Sequence, residues 1–352
     1  MVNSETVGGL SPFRLRRLIQ KTIKSLELDL TGGRVLTEAA SVVYASTAVI
    51  AAAAGAEVYA LTANSPYGTI PEVLQQVTTM ADSVGAGRDR IHILTDRSSV
   101  PRGLNIITNL GFVRPVDVDL LERLAPDGAV SYMCEAWEVR EGDVDLAACD
   151  RMGVPVAGVW EDFDQLNVFR SCGQLAVKMC FEAGLEVAGN RLIVISGDKF
   201  GPTIALALEA NLASVSSISS ASDLSESLVA EADAIIVADY STGAAILGGG
   251  AGPSIADLKR WNPELTVIQF AGVNDVALLR EAEVRVFPDQ QLQPHRMAFT
   301  LAHLGVRPTI LLHTAGLKVG ELLWRARSSG TIDPRFRELI QPMNEMSKAL
   351  AA

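Results

Sequence analysis

No two cysteines in this sequence are spaced as a CxxC pair; Cys134, Cys149, Cys172 and Cys180 stand apart and show no metal-ligand spacing. That excludes a disulfide framework and a cysteine-built zinc site, and it points to free thiols in a reducing, cytoplasmic-type compartment. Histidine is scarce, with four in 352 residues, and no metal is expected. Positive charge is also in deficit: 30 Lys and Arg against 41 Asp and Glu leave a net charge of −11. Nucleic acid is therefore not an expected partner, because phosphate backbones need clustered cations. A small anion responds to the local field instead and stays allowed. No apolar run is long and uniform enough to cross a membrane; the most apolar stretch, Val42 to Leu61, is alanine-rich and broken by Gly55 and Glu57. The N-terminus mixes charges from Glu5 to Lys24 around no apolar signal core.

What is present is a chain 48% apolar and 20% charged, long enough for two domains with separate cores. Apolar positions at helical spacing open it at 13–27. From residue 34 onward strand and helix patterns alternate. RVLTE, EVYALT, RIHILTD, LNIITNLG, GAVSYMCE and VPVAGVW read as strands, with helices predicted at 39–54 and 70–84 and short ones at DVDLL and DLAACDRMG. A helix at 169–183, apolar around most of its surface, follows. RLIVIS, ASVSSI, ADAIIVAD, LTVIQFAG and EVRVF are then strands, with a helix at 202–212. PTILLHTAG reads as the last strand, before a closing helix at 317–328 and a helical tail. Strands apolar on both faces, separated by helices, predict an α/β protein of two doubly wound parallel-sheet (Rossmann-like) domains joined by interdomain helices. The expected division is 1–165 plus 317–352 as a substrate-type domain, 166–189 as an interdomain helix, and 190–316 as a nucleotide-binding-type domain.

Doubly wound sheets bind ligands at the carboxyl ends of their strands, so residues there are the candidates. The turn from Ser196 to Gly201 reads Ser-Gly-Asp-Lys-Phe-Gly between a strand and a helix. A dinucleotide fingerprint places three glycines there, so that the backbone can approach a pyrophosphate at the helix N-terminus. Only Gly201 keeps its register; Gly197 is displaced by one, and Asp198 sets a carboxylate where phosphate would lie, with Lys199 as an offset. NAD or NADP, if bound, would meet Ser196, Gly197, Asp198, Lys199, Gly201 and, after ADAIIVAD, Asp239. Roughly twenty residues on, where an acid would hold a ribose, stand serines 216, 217, 219 and 220. In the first domain, RVLTE is followed by Glu38-Ala39-Ala40-Ser41 without glycine, and EVYALT ends without that acid, so nothing beyond a shared α/β period is read there. Asn109, Glu135, Trp137 and Glu138 end first-domain strands, as Tyr240 and Ser241 end one in the second. His313 is expected at the end of PTILLH, on the same kind of edge.

From about Gly103 to Arg325 the order of segments resembles the D-2-hydroxyacid dehydrogenase family. EVRVFPDQQLQP followed by PTILLHTAGLKVGE resembles that family's "DVF…EP" and "TPHIAG" segments, and DVDLAACDRMGVPVAGV its "DLAAAKERGIPV" segment. The resemblance implies that His313 matches the family's acid/base histidine. The family's "ARG" segment, whose arginine clamps the substrate carboxylate, reads Gln269-Phe270-Ala271-Gly272 here. The glutamate that supports the histidine falls near Gln290, with Asp289 beside it. Two readings follow. One is an oxidoreductase using NAD or NADP on a small polar substrate between the domains, with His313 as acid/base and Asp289 and Glu135 as further catalytic carboxylates; Asn109, Trp137, Glu138, Tyr240 and Ser241 would bind substrate. The other is a non-redox enzyme or ligand-binding protein that has lost the dinucleotide. A homodimer is expected in either case.

Overall fold

The computed structural model describes residues 10–351, which fall into two units: one runs to Val168 and resumes at Gly305, and the other is Phe169–Leu304. The sequence expectations for residues 1–9 lie outside the described residues. Among the described residues no helix is long and apolar enough to cross a membrane, and no group of three or more His, Cys, Asp or Glu is placed to hold a metal ion.

In the first unit the strands are β1 (Arg34–Glu38), β2 (Glu57–Leu61), β3 (Ile91–Leu94), β4 (Leu104–Thr108), β5 (Leu124–Ser131) and β6 (Val156–Val159). In the second they are β7 (Arg191–Ile195), β8 (Ser214–Ile218), β9 (Ala234–Ala238), β10 (Thr266–Ala271) and β11 (Arg285–Phe287), and β12 (Ile340–Pro342) returns to the first. The first sheet has the order β12-β6-β5-β4-β1-β2-β3, parallel except for β12, which runs antiparallel along β6. The second is parallel throughout, in the order β11-β10-β9-β7-β8. Counted from its own first strand, the first unit carries the 3-2-1-4-5-6 order of dinucleotide-binding folds, and the second the 2-1-3-4-5 order of flavodoxin-like ones. Alternation along a chain gives the strands but not the side on which each crossover returns, and that side sets the order.

The regular helices follow their local signals. Ile70–Val84 starts at a capping box between Thr69 and Glu72, buries Val73, Val77, Met80, Ala81 and Val84 along one stripe, and stops at Gly85 with φ 77°. Phe200–Ala210 packs closely on Ser171–Glu182, where a Cβ on Gly173 would stand 2.7 Å from the Thr203 carbonyl. That contact places Ser171–Glu182, expected as a separate interdomain helix, inside the second unit. Around Phe200, the rings of Phe169 and Phe270 lie at 5.0 and 5.4 Å and fill that unit's core.

Three further expectations are corrected. Residues 308–316 are not a strand: Val306–Ser329 is one continuous helix, so residues from Gly305 belong to the first unit and the boundary predicted at 316 moves back. The helix is buried on nearly every side, which erases the 3.6-residue apolar period, and Pro308 sits in its first turn, where an absent N–H costs nothing. The tail is not helical throughout, since β12 interrupts it before Glu345–Ala351. The predicted helix 39–54 is likewise divided into a 3₁₀ turn, Val42–Ala45, and the helix Ser46–Ala53.

Candidate functional site

In the second unit the sheet order reverses between β7 and β9, and the loops after these strands carry most of the sequence-derived cofactor residues. Asp198 uses both carboxylate oxygens on backbone. Oδ1 accepts from Phe200 N at 2.9 Å, and Oδ2 from Tyr240 N at 2.7 Å and Ser241 N at 3.1 Å. Asp239, 8% exposed, does the same: Oδ2 accepts from Gly197 N at 3.0 Å, and Oδ1 from Ser241 N, Ser241 Oγ and Thr242 N. Ser196 Oγ accepts from Gly201 N at 3.1 Å. The N–H groups that a pyrophosphate needs at a helix N-terminus are thus already bonded to the protein's own oxygens. Burial pushes the Asp198 carboxyl above its usual range and the Asp239 charge adds to the rise, against the N–H donors of Phe200 and Tyr240. Lys199 places its Nζ 4.1 Å from the centre of the Phe169 ring. Tyr240 is buried, and His295 Nδ1 pairs with its carbonyl at 2.8 Å. Beside this edge Asp239, Ser219, Ser220 and Thr242 line a cavity of about 170 Å³.

The first unit brings Glu135, Trp137 and Glu138 together but binds them to one another. Glu135, 0% exposed, accepts from Trp137 Nε1 at 2.5 Å and Glu161 N at 3.1 Å, while Glu135 N donates to Glu138 Oε1 at 3.1 Å. Asn109 spends its Oδ1 on Met133 N at 2.7 Å, tying the ends of β4 and β5. The neighbouring Cys134 thiol is pushed well up by burial, with the Glu138 and Glu161 charges adding. Between β1 and β4, where this sheet reverses, Glu38 is buried and accepts from Phe112 N at 3.1 Å; burial raises its carboxyl, opposed by that bond and by Arg114. Each unit therefore closes its reversal point with a carboxylate on the neighbouring loop's N–H groups.

His313 does not end a strand. It lies inside the helix Val306–Ser329, 4% exposed, with Nδ1 2.5 Å from Thr47 Oγ1 and its ring 5.9 Å from that of Tyr44. Burial pulls its pKa down to about 4, so the ring is neutral at pH 7. Asp289 is paired with Arg280 at 2.7 Å on the surface of the second unit. Gln269, in the segment that resembles the arginine-bearing one, donates to the carbonyls of Pro288 and Gln290 at 2.8 and 3.0 Å and so braces that loop. Sequence reasoning missed the partners of His313. Thr47 and Tyr44 sit in an alanine-rich stretch with no motif, and only the fold brings residues 266 positions apart together.

No protein-family model matches the chain, and no curated protein matches it in sequence. Solved structures do. A dipicolinate synthase component from Bacillus halodurans superposes with a TM-score of 0.52 at 13% identity, over 84% of this chain and 99% of that one. Its counterpart in the dipicolinate synthase of Bacillus subtilis gives 0.49 at 13% identity, over 86% and 98%. The NAD-dependent formate dehydrogenase from Staphylococcus aureus, solved in complex with NAD, gives 0.43 at 13% identity, over 81% and 92%. Phosphoglycerate dehydrogenases and a glyoxylate reductase are also among the similar structures. What this chain shares with such proteins is a fold, two doubly wound α/β units in one polypeptide.

Proposed function

We propose that this chain is an oxidoreductase-like protein in architecture that binds a small polar molecule at the carboxyl edge of its sheets and does not hold a nicotinamide dinucleotide through the turn 196–201. The carrying observation is Asp198, whose carboxylate takes three backbone N–H groups at the reversal point of the second sheet. A pyrophosphate arriving there would meet a carboxylate instead of free donors, and the Asp239 carboxylate beside it. The residues present do not fit that group, so no chemical step is assigned through it. The neutral, buried state of His313 and the surface pairing of Asp289 support the reading in which 2-hydroxyacid oxidation by the family's mechanism is lost. The shared fold supports the redox reading and is analogy rather than a site.

A titration with NADH followed by fluorescence tests this. The unmodified protein is expected to bind NADH weakly or not at all, and Asp198→Gly to bind it at least tenfold more tightly, because repulsion is removed and backbone donors are released. Nanomolar NADH affinity in the unmodified protein overturns the proposal.

A further inference from the structure

We infer that the open edge of the second sheet, strand β8, is an interface for a second copy of this chain, whose own β8 pairs with it antiparallel about a twofold axis at Ser216. β8 ends its sheet: it pairs with β7 and, among the described residues, with no other strand. Ser214 N donates to the Asn190 carbonyl at 2.8 Å, and Ser196 N to the Ile218 carbonyl at 3.0 Å. In that register Ser214, Ser216 and Ile218 turn their backbone groups to β7, while Val215 and Ser217 turn theirs away from the sheet. A row of unpaired N–H and C=O groups is a template for a further strand.

The other sheet edges of this chain carry blocking features, and this one does not. β12 is three residues long and ends in Pro342. β11 is equally short, opens at Arg285 and is followed directly by Pro288. β3 stands between the charged Arg90 and Asp96. Short length, proline and charge are what keep an edge from pairing. From Ala210 to Ser222 the chain has no charged residue, glycine or proline. Leu212, just before β8, is 76% exposed and holds φ 68°, a left-handed position where glycine is the customary residue. Leu206, 66% exposed, lies on the helix Phe200–Ala210, which packs against β8. Exposed apolar side chains thus accompany the open edge.

Symmetry and charge select the occupant. About an axis at Ser216, Val215 of one copy stands opposite Ser217 of the other, and each such pair exchanges both of its N–H···O bonds. Ser216 meets Ser216, and Ser214 meets Ile218 of the second copy. Ser214 and Ser216 line an open groove of about 380 Å³ together with Ile193 and Leu228, so the incoming Ile218 finds apolar surface there. Arg191 and Glu231, on the same groove, pair with each other. The edge is therefore neutral, which lets two chains of net charge −11 meet without like charges in contact. Both copies use the same edge, so the contact closes as a dimer and does not propagate.

Analytical ultracentrifugation of the full chain at micromolar concentration tests the inference, beside Ser216→Lys, Ser216→Glu and an equal mixture of the two variants. The unmodified chain is expected to sediment as a dimer. Ser216 is exposed, so both variants are expected to keep the far-ultraviolet circular dichroism of the unmodified protein. Each variant sets two like charges opposite each other and is expected to weaken the dimer about tenfold or more. The mixture sets Lys against Glu and is expected to recover the dimer. A monomeric unmodified chain, dimers unchanged in both variants, or a mixture no more dimeric than its components overturns the inference.

Discussion

His313 shows at the residue scale how burial decides what an ionisable group does. Its pKa falls from 6.5 to about 4, so between those values the unfolded chain binds a proton that the folded chain refuses. The stability that the neutral ring contributes is complete above pH 6.5 and is lost as the pH falls through about 4, a change of about 3 kcal/mol at its limit. The buried carboxyls Glu38, Asp198 and Glu321 are raised and act with the opposite sign. The histidine's share is therefore read as a difference between proteins. His313→Gln keeps a polar side chain toward Thr47 and removes the titration. In urea unfolding, the loss of stability from pH 7 to pH 4.5 is expected to shrink by about 2 kcal/mol relative to the unmodified protein. An unchanged pH dependence would contradict the buried, neutral assignment. What could be read in advance at this scale was charge and motif. Asp198 stands out in a glycine turn, whereas Thr47 and Tyr44 carry no motif that marks them as partners of His313.

Among the elements, the helix Val306–Ser329 governs the first unit. It lies against β4, β5 and β6, and Ser131 Oγ donates to the Gly316 carbonyl at 2.6 Å. Two glycines permit that approach: a Cβ on Gly316 would stand 2.4 Å from Met133 Sδ, and one on Gly320 would stand 2.7 Å from Ile106 Cγ2 and 3.3 Å from Ser131 Cβ. Gly320→Ala sets two effects against each other. Alanine gains about 1 kcal/mol in helix propensity, but overpacking against branched and backbone-near atoms costs about 1–3 kcal/mol. Net destabilisation of about 1 kcal/mol, and at most about 2, is expected in urea unfolding, and a stabilised variant would contradict the close packing. Where a helix shows one apolar stripe, as at 70–84, its bounds were legible in the sequence, and so were the strands with apolar cores. Residues 308–316 were misread because burial on all sides leaves an apolar run that length alone cannot assign.

In the whole molecule, the second unit is a continuous segment with two apolar clusters of its own, whereas the first needs both ends of the chain. A fragment of residues 169–304 is thus expected to unfold cooperatively by circular dichroism. A fragment ending at Val168 lacks the 306–329 helix and β12, and it is expected not to; a cooperative transition in that fragment would contradict the division. The two-unit α/β plan was legible from alternation, while the strand orders were not, because they depend on where each crossover passes. Both sheets end their reversal points with a carboxylate on backbone N–H groups, and the central claim is that this leaves no place for a pyrophosphate. The most direct measurement is native mass spectrometry of the full chain after incubation with NADH, followed by release and identification of whatever small molecule it retains. No stoichiometric dinucleotide is expected, and any retained ligand is expected to be a small polar molecule. One NAD or NADP held per chain would contradict it.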